Sequence, residues 1–136
     1  MSNLLEEKDA IRELIGRYCF YIDLGKYDEW AGTFTEDGVF EVSGMFRFDG
    51  RAAIREFANH IPKDASGLPG MKHCTFNHVI DVSDDRASAT CYLLVVREGT
   101  PLHVDIAGRY EDELVKRAGR WLFTHRTAFF DYRSGA

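Results

Sequence analysis

The sequence predicts a single α+β domain in which helices come first and long antiparallel strands come last. Three observations support this class: apolar residues recur at helical spacing near the beginning, four strand-like segments fill the second half, and hairpin-length turns separate those strands. The chain has 136 residues, near the usual size of one domain, and contains no internal repeat or linker. We therefore expect residues 1–136 to form one domain.

The first element is predicted to be one long amphipathic helix. Ser2 or Asn3 can cap its beginning, Glu6 follows Asn3 at capping-box spacing, and Gly25 is suited to end it. One apolar stripe runs along this helix: Ile11, Leu14, Ile15, Tyr18 and Ile22. The stripe predicts the face that packs on the rest of the domain.

A second, shorter helix is expected from about Tyr27 to Phe34, with Trp30 and Phe34 on its apolar face. Residues 36–38, Glu-Asp-Gly, are expected to form a turn. Alternating apolar residues on either side of a Ser-Gly pair then predict a small hairpin within residues 39–48.

The rest of the chain is predicted to form a third helix, over RAAIREFANHI, and four strands. The strands run from about His73 to Val82, Ala87 to Arg97, Leu102 to Val115 and Trp121 to Phe130. Because short turn sequences separate them, we expect an antiparallel meander.

The composition excludes several classes of protein. With 45% hydrophobic residues and only 3 prolines, the chain is neither disordered nor collagen-like. Its net charge of −5 argues against a basic surface for nucleic acid. No apolar run reaches the roughly 18 residues of a membrane span. The sequence also lacks the GxGxxG, P-loop and GxSxG motifs of nucleotide binding and serine hydrolysis.

The cysteines and histidines predict neither a disulfide framework nor a metal site. The chain has three cysteines, Cys19, Cys74 and Cys91. Because their number is odd and no two form a CxxC pair, we expect reduced, mostly buried thiols. The amino-terminal segment lacks the apolar core of a signal peptide, and we therefore expect a cytoplasmic protein. The 5 histidines form no H-x-H, H-x-x-x-H or HExxH pattern, so no metal is expected.

Asp23 is the first candidate for chemistry. It lies one residue past Ile22, at the edge of the apolar stripe, where a carboxylate would face a partly buried space and need a partner. The helix dipole also disfavours an acidic group near the end of a helix. The alternative is a solvated carboxylate at the helix end.

His73 is the second candidate, at the start of the first long strand. Strict alternation along that strand predicts two faces. A polar face holds His73, Thr75, Asn77 and Val79, and an apolar face holds Cys74, Phe76, Ile80 and Val82 with His78. The polar face is either wet or lines a pocket. If it lines a pocket, we expect the apolar face to be buried in a homodimer or higher homo-oligomer.

The aromatic residues are numerous, with 6 Tyr, 10 Phe and 2 Trp. They are consistent with a well-packed core. They are equally consistent with a cavity for an apolar, ring-bearing ligand in which tyrosine hydroxyls bind the polar groups.

The chain resembles a known family over nearly its whole length. Three segments carry the resemblance: AIRELIGRYCFYIDLGKYDEWAGTFTEDGVFEV, KHCTFNHVI and GRYEDELVKRAGRWLFTHR. The family is the SnoaL-like group of the nuclear-transport-factor-two-like superfamily. It includes enzymes such as bile-acid dehydratase, scytalone dehydratase and hexachlorocyclohexane dehydrochlorinase, and also non-catalytic small subunits of ring-hydroxylating dioxygenases. The resemblance implies a cone-shaped barrel made of a curved, mostly antiparallel sheet packed on N-terminal helices.

The resemblance also implies site residues. In the enzymes, an Asp near the end of the first helix pairs with a His at the start of a central strand, and these positions match Asp23 and His73. Tyr18 matches a tyrosine placed near the substrate, Asn77 keeps an H-x-x-x-N spacing, and Tyr92 stands where scytalone dehydratase has a second histidine. We therefore expect Asp23 and His73 to be catalytic and the other three to bind substrate.

The resulting hypothesis is a cofactor-independent lyase of dehydratase type, or an isomerase, acting on a hydrophobic, cyclic, hydroxylated small molecule. Asp23 would orient His73, and His73 would act as the general base. The alternative is a non-catalytic ligand-binding module, or a scaffold subunit resembling the dioxygenase small subunit. In either case we expect no cofactor, no nucleic acid and no membrane as partner.

Overall fold

In the computed structural model, which describes residues 3–135, the predicted apolar stripe forms the helix α1 (Leu4–Asp23). Asn3 caps it, because its side-chain oxygen accepts a hydrogen bond of 2.8 Å from the backbone N–H of Glu6. Gly25, with a φ of +74°, follows directly after the helix has ended. Both ends of α1 therefore agree with the prediction, apart from Ser2, which lies outside the described residues.

The helix α2 (Tyr27–Ala31) is shorter than the sequence pattern predicts. Phe34 is not on the helix but begins the strand β1 (Phe34–Val42), so this prediction is wrong. The turn expected at residues 36–38 is a bulge inside β1, where the pairing with a neighbouring strand shifts. Burial explains the difference, because Phe34 is fully buried in the sheet.

The remaining elements follow in the predicted order. They are β2 (Phe46–Asp49), α3 (Arg51–Ala58), β3 (Met71–Ser83), β4 (Arg86–Arg97), β5 (His103–Arg117) and β6 (Arg120–Arg133). The strand order in the sheet is β2-β1-β6-β5-β4-β3. Strands β3 to β6 form the predicted antiparallel meander, and β1 joins β6 as a parallel neighbour.

The α+β class is therefore confirmed, with the helices packed on a six-stranded, mixed and mostly antiparallel sheet. The sheet stays open at β2 and β3, so it does not close into the barrel that the resemblance implies. Across residues 3–135, no helix combines the length and the apolarity that crossing a membrane requires.

A bulge in β3 changes which side chains face the helices. Asn77 has a φ of +60°, and the pairing of β3 with β4 shifts between Phe76 and Val79. His73 faces inward before the bulge and Ile80 faces inward after it, whereas Phe76 is exposed. The strict alternation predicted for this strand is therefore wrong. Neither predicted face is formed as a single surface. The predicted apolar face comprised Cys74, Phe76, Ile80 and Val82, and the predicted polar face comprised His73, Thr75, Asn77 and Val79.

A charged pair lies inside the core. Arg126 Nε is 3.0 Å from Asp112 Oδ1, and both side chains are fully buried. Neither group has a well-directed hydrogen bond to the described residues. Instead, Arg126 Cζ lies 3.4 Å from the ring centroid of Tyr110, 4.2 Å from that of Tyr18 and 4.6 Å from that of Phe123.

Burial and charge act in opposite directions on this pair. Burial raises the pKa of the Asp112 carboxyl to about 6, although the nearby guanidinium lowers it. Burial is the strongest single influence on the pKa of Arg126 and lowers it, but the Asp112 carboxylate and the neighbouring Tyr110, Tyr18 and Cys91 together outweigh burial, so the pKa is raised. Each charge therefore depends on the other for its place in the core.

Breaking this pair should destabilise the fold strongly. Arg126→Met leaves a buried, unpaired carboxylate, so we expect the free energy of unfolding to fall by about 3–5 kcal/mol. The double variant Arg126→Met with Asp112→Leu should recover most of that loss, because apolar side chains replace both charges. Denaturant unfolding of four proteins, the unmutated protein, Arg126→Met, Asp112→Leu and the double variant, completes the double-mutant cycle.

Arg47→Met is the control, because its ion pair with Asp49 is exposed and should contribute at most about 1 kcal/mol. If the losses of unfolding free energy in the Arg126→Met and Asp112→Leu variants simply added up in the double variant, the two charges would not depend on each other.

Candidate active site

Asp23 and His73, which are 50 residues apart, meet where the end of α1 packs on the start of β3. Asp23 Oδ1 lies 2.7 Å from His73 Nδ1, and Asp23 Oδ2 accepts a hydrogen bond of 2.8 Å from the backbone N–H of His73. Each side chain is 12% exposed. One carboxylate thus holds both the ring and the main chain of the histidine, which determines the direction of the ring.

The contact specifies which ring nitrogen is available. An ionised carboxylate only accepts hydrogen bonds, so Nδ1 of the neutral imidazole carries the proton and Nε2 keeps its lone pair. No protein partner of Nε2 is found within residues 3–135. The arrangement leaves Nε2 able to accept a proton from another molecule.

A cavity of about 310 Å³ lies between the helices and the inner face of the sheet, and His73 lines it. Most of its wall is apolar or aromatic, including Trp30, Phe40 and Leu93. Asp23 borders a second depression, of about 330 Å³, under the loop before β3, and His73 borders that one as well. The imidazole therefore separates the carboxylate from the apolar cavity.

Two tyrosines supply hydroxyl groups to the cavity wall. Tyr18 projects from α1 and Tyr110 from β5, and each is 2% exposed. Burial raises the pKa of both hydroxyls, although the charge of Arg126 opposes the shift. Both remain protonated near neutral pH and can donate a hydrogen bond.

Tyr110 is a cavity residue that the sequence reasoning did not select. The signal that could have found it is the alternation of buried residues along β5, where Tyr110, Asp112 and Leu114 all face inward. Asp112 in that row shows that the inner face of β5 is not purely apolar.

Asn77 and Tyr92 lie on the outer face of the sheet, the face turned away from the helices. Asn77 is the bulged residue of β3 and is exposed. Tyr92 is 51% exposed, because it alternates with the buried residues Cys91 and Leu93 on β4. The structure does not bring these two side chains to His73.

The cysteines do not provide a nucleophile at the cavity. Burial raises the pKa of Cys19 to about 12 and that of Cys91 to about 11, which keeps both as thiols. Cys74 is exposed, contrary to the expectation that all three are mostly buried. All three are free of disulfides.

The donor groups of the described residues come in pairs rather than in larger sets. Within residues 3–135, no three His, Cys, Asp or Glu side chains are close enough to hold a metal ion. A second acid–histidine pair joins Glu41 Oε1 to His125 Nε2 at 2.7 Å, on the outer face and away from the cavity.

A model of the SnoaL-like domain matches residues 3–127 of this chain. The chain belongs to the SnoaL-like domain family. The match confirms the predicted resemblance and covers α1, the site and most of the sheet.

Three proteins with different descriptions are similar to this chain. The beta subunit of the methanesulfonate monooxygenase hydroxylase of Methylosulfonomonas methylovora is 25% identical, over 92% of this chain and 81% of that subunit. A Catenulispora acidiphila protein in complex with S-DNPA is 30% identical, with a TM-score of 0.81, over 93% of this chain and 95% of its own. A Novosphingobium aromaticivorans protein, provisionally assigned as a scytalone dehydratase, is 26% identical, with a TM-score of 0.84, over 97% of this chain and 89% of its own.

The tautomer of His73 is a direct test of the site geometry. In the neutral form we expect the proton on Nδ1 of His73, because the Asp23 carboxylate faces that atom. His125 is the internal control, since Glu41 faces its Nε2 and should stabilise the opposite tautomer. Long-range proton–nitrogen correlation spectra of labelled protein distinguish the two forms.

Asp23→Asn should move His73 towards the Nε2-protonated form, because an amide can donate to Nδ1, and should leave His125 unchanged. Nε2 protonation of His73 in the unmutated protein would disprove the arrangement.

Proposed function

We propose that this protein is a cofactor-independent lyase of dehydratase type, or an isomerase, that acts on a hydrophobic, cyclic, hydroxylated small molecule. The observation that carries the proposal is the Asp23–His73 contact of 2.7 Å at the wall of a mostly apolar cavity. A base with an open Nε2 at the wall of a mostly apolar cavity is suited to removing a proton from carbon.

In the proposed reaction, His73 Nε2 takes a carbon-bound proton from the substrate, and Asp23 stabilises the imidazolium that forms. The electron pair left on carbon forms a double bond as a neighbouring hydroxyl departs. The imidazolium returns its proton to that hydroxyl, which leaves as water. In an isomerisation the same proton returns to a different carbon. Positioned acid–base groups of this kind typically contribute about 10²–10⁴-fold to the rate.

Tyr18 is the proposed hydrogen-bond donor to an oxygen of the substrate. Its hydroxyl stays protonated, since burial raises its pKa, and its ring lines the same cavity as His73. Asn77 and Tyr92 have no part in this proposal, because both lie on the outer face.

The cavity wall supports the proposed substrate class. Aromatic and aliphatic side chains exclude a strongly hydrated molecule and favour flat or ring-bearing ones. The similarity to a provisionally assigned scytalone dehydratase and to a protein in complex with S-DNPA is consistent with the proposed substrate class.

Substitutions at the pair test the mechanism. His73→Ala should reduce turnover of hydroxylated bicyclic or polycyclic compounds by about 10²–10⁴-fold, because the base is lost. Asp23→Asn should also be severely impaired, and the double variant should be little worse than His73→Ala, because the two residues act as a unit. Steady-state rates, and deuterium incorporation at the reacting carbon, measure these effects.

His125→Ala is the matched control, since it removes a similar acid–histidine pair outside the cavity and should retain the rate. A folded His73→Ala variant with the unmutated rate would refute the proposed mechanism.

A non-catalytic scaffold subunit is the second candidate function. The similarity to a hydroxylase beta subunit favours it, and so does the outer face of the sheet. Phe76, Tyr92, Arg109 and Phe129 stand in one cross-strand row there, through direct pairing of β3, β4, β5 and β6. Phe76 and Tyr92 remain 39% and 51% exposed, so the row presents apolar surface to a partner.

We propose that this outer face forms a homodimer. Light scattering at micromolar concentration should give twice the chain mass of 15.5 kDa, and Tyr92→Glu should produce monomers by placing a charge in the apolar row. Phe20→Glu, at an exposed apolar position on α1, is the control and should stay dimeric. A monomeric unmutated protein would contradict the proposal.

A further inference from the structure

We propose that the mouth of the cavity selects substrates that carry a carboxylate, which Arg133 binds across the cavity from His73. The inference deepens the proposed function, on which it rests for the reacting end of the substrate. It assigns Arg133 as a specificity-determining residue and narrows the substrate class to hydroxylated cyclic acids.

Arg133 provides an uncompensated positive charge at this mouth. It is the last residue of β6, it is exposed, and it lines the cavity next to Met45. Its recorded contact is Nη1 to the Met45 sulfur at 3.7 Å, and no carboxylate within residues 3–135 forms an ion pair with it. A thioether is a weak acceptor, so the guanidinium keeps nearly all of its capacity to bind an anion.

The other charged side chains of the cavity wall compensate each other. Arg97 Nη2 lies 2.9 Å from Asp105 Oδ2, and Ser134 Oγ donates to the other oxygen of the same carboxylate. His60, also on the wall, carries a charge only when it is protonated, and it then lies 3.4 Å from the Glu56 carboxylate outside the wall. The unpaired charge on the described wall is therefore that of Arg133, and it attracts an anionic group to the mouth.

Strand register relates the backbone positions of His73 and Arg133. His73 pairs with Val95, Val95 with Ile106, and Ile106 with Arg133, so His73 and Arg133 lie in one row across the sheet. Three strand spacings of about 4.8 Å separate their backbones by roughly 14 Å before curvature is considered.

The position of the Arg133 charge at the mouth suits the binding of a carboxylate whose apolar part enters the cavity. A carboxylate at the mouth keeps part of its hydration, whereas one deep inside would lose all of it. A guanidinium and a carboxylate can form two parallel hydrogen bonds. Because Arg133 is exposed, salt and water weaken the interaction, and we expect a preference of about threefold to fivefold that falls with ionic strength.

Two probes that differ in charge but not in shape test this inference. The unmutated protein should bind a hydroxynaphthoate about threefold to fivefold more tightly than the matching hydroxynaphthamide, as measured by calorimetry at low salt. Arg133→Gln should remove this preference by weakening binding of the acid alone, and Arg133→Lys should retain part of it. Arg47→Gln, an exposed arginine of β2 outside the cavity wall, is the control and should keep the full preference.

The same measurement in the His73→Ala variant separates this inference from the proposed mechanism. If the protein still prefers the acid but shows no turnover that depends on His73, only the proposed mechanism is refuted. Equal binding of the two probes by the unmutated protein would overturn the assignment of Arg133. The assignment of Arg133 would also be overturned if the protein bound neither probe, or if Arg133→Gln left the preference for the acid unchanged.

Discussion

The carboxylate of Asp23 joins the end of α1 to the start of β3, and the geometry of the site depends on that one contact. It accepts hydrogen bonds from the backbone and the ring of the same histidine. An acidic residue at the end of a helix is unfavourable to the helix dipole, and a half-buried carboxylate is costly without partners. The hydrogen bonds from His73 offset both unfavourable effects, and they also hold its ring against the cavity. A group that stabilises the packing of α1 thereby also sets the tautomer of the proposed base.

Buried side chains behind the cavity wall hold the rings that line it in place. Arg126 lies under the rings of Tyr18, Tyr110 and Phe123, and Asp112 balances its charge. Flat rings over a guanidinium are restricted in how far they can collapse inward. The same buried pair packs against the rings of Tyr18 and Tyr110, which line the cavity and are each 2% exposed.

The two faces of the sheet have different roles, and the bulge at Asn77 is part of the reason. Before the bulge, β3 directs His73 inward and Phe76 outward; after it, Ile80 returns to the core. The inserted residue lets one strand contribute both to the cavity and to the exposed aromatic row. A strand with strict alternation would have buried Asn77 beside the proposed base and exposed Ile80.

The sequence by itself determined the α+β class, the capped first helix, the antiparallel meander and the pairing of Asp23 with His73. These follow from local signals: helical periodicity, capping residues, turn composition and a family pattern that covers most of the chain. Only the tertiary structure decided that Phe34 belongs to β1, that Asn77 and Tyr92 face outward, and that Tyr110 and Arg133 reach the cavity. Those outcomes depend on burial against distant residues, on a one-residue shift in pairing and on the curvature of the sheet. None of these is encoded in the spacing of neighbouring residues, because each arises from contacts between strands far apart in the chain.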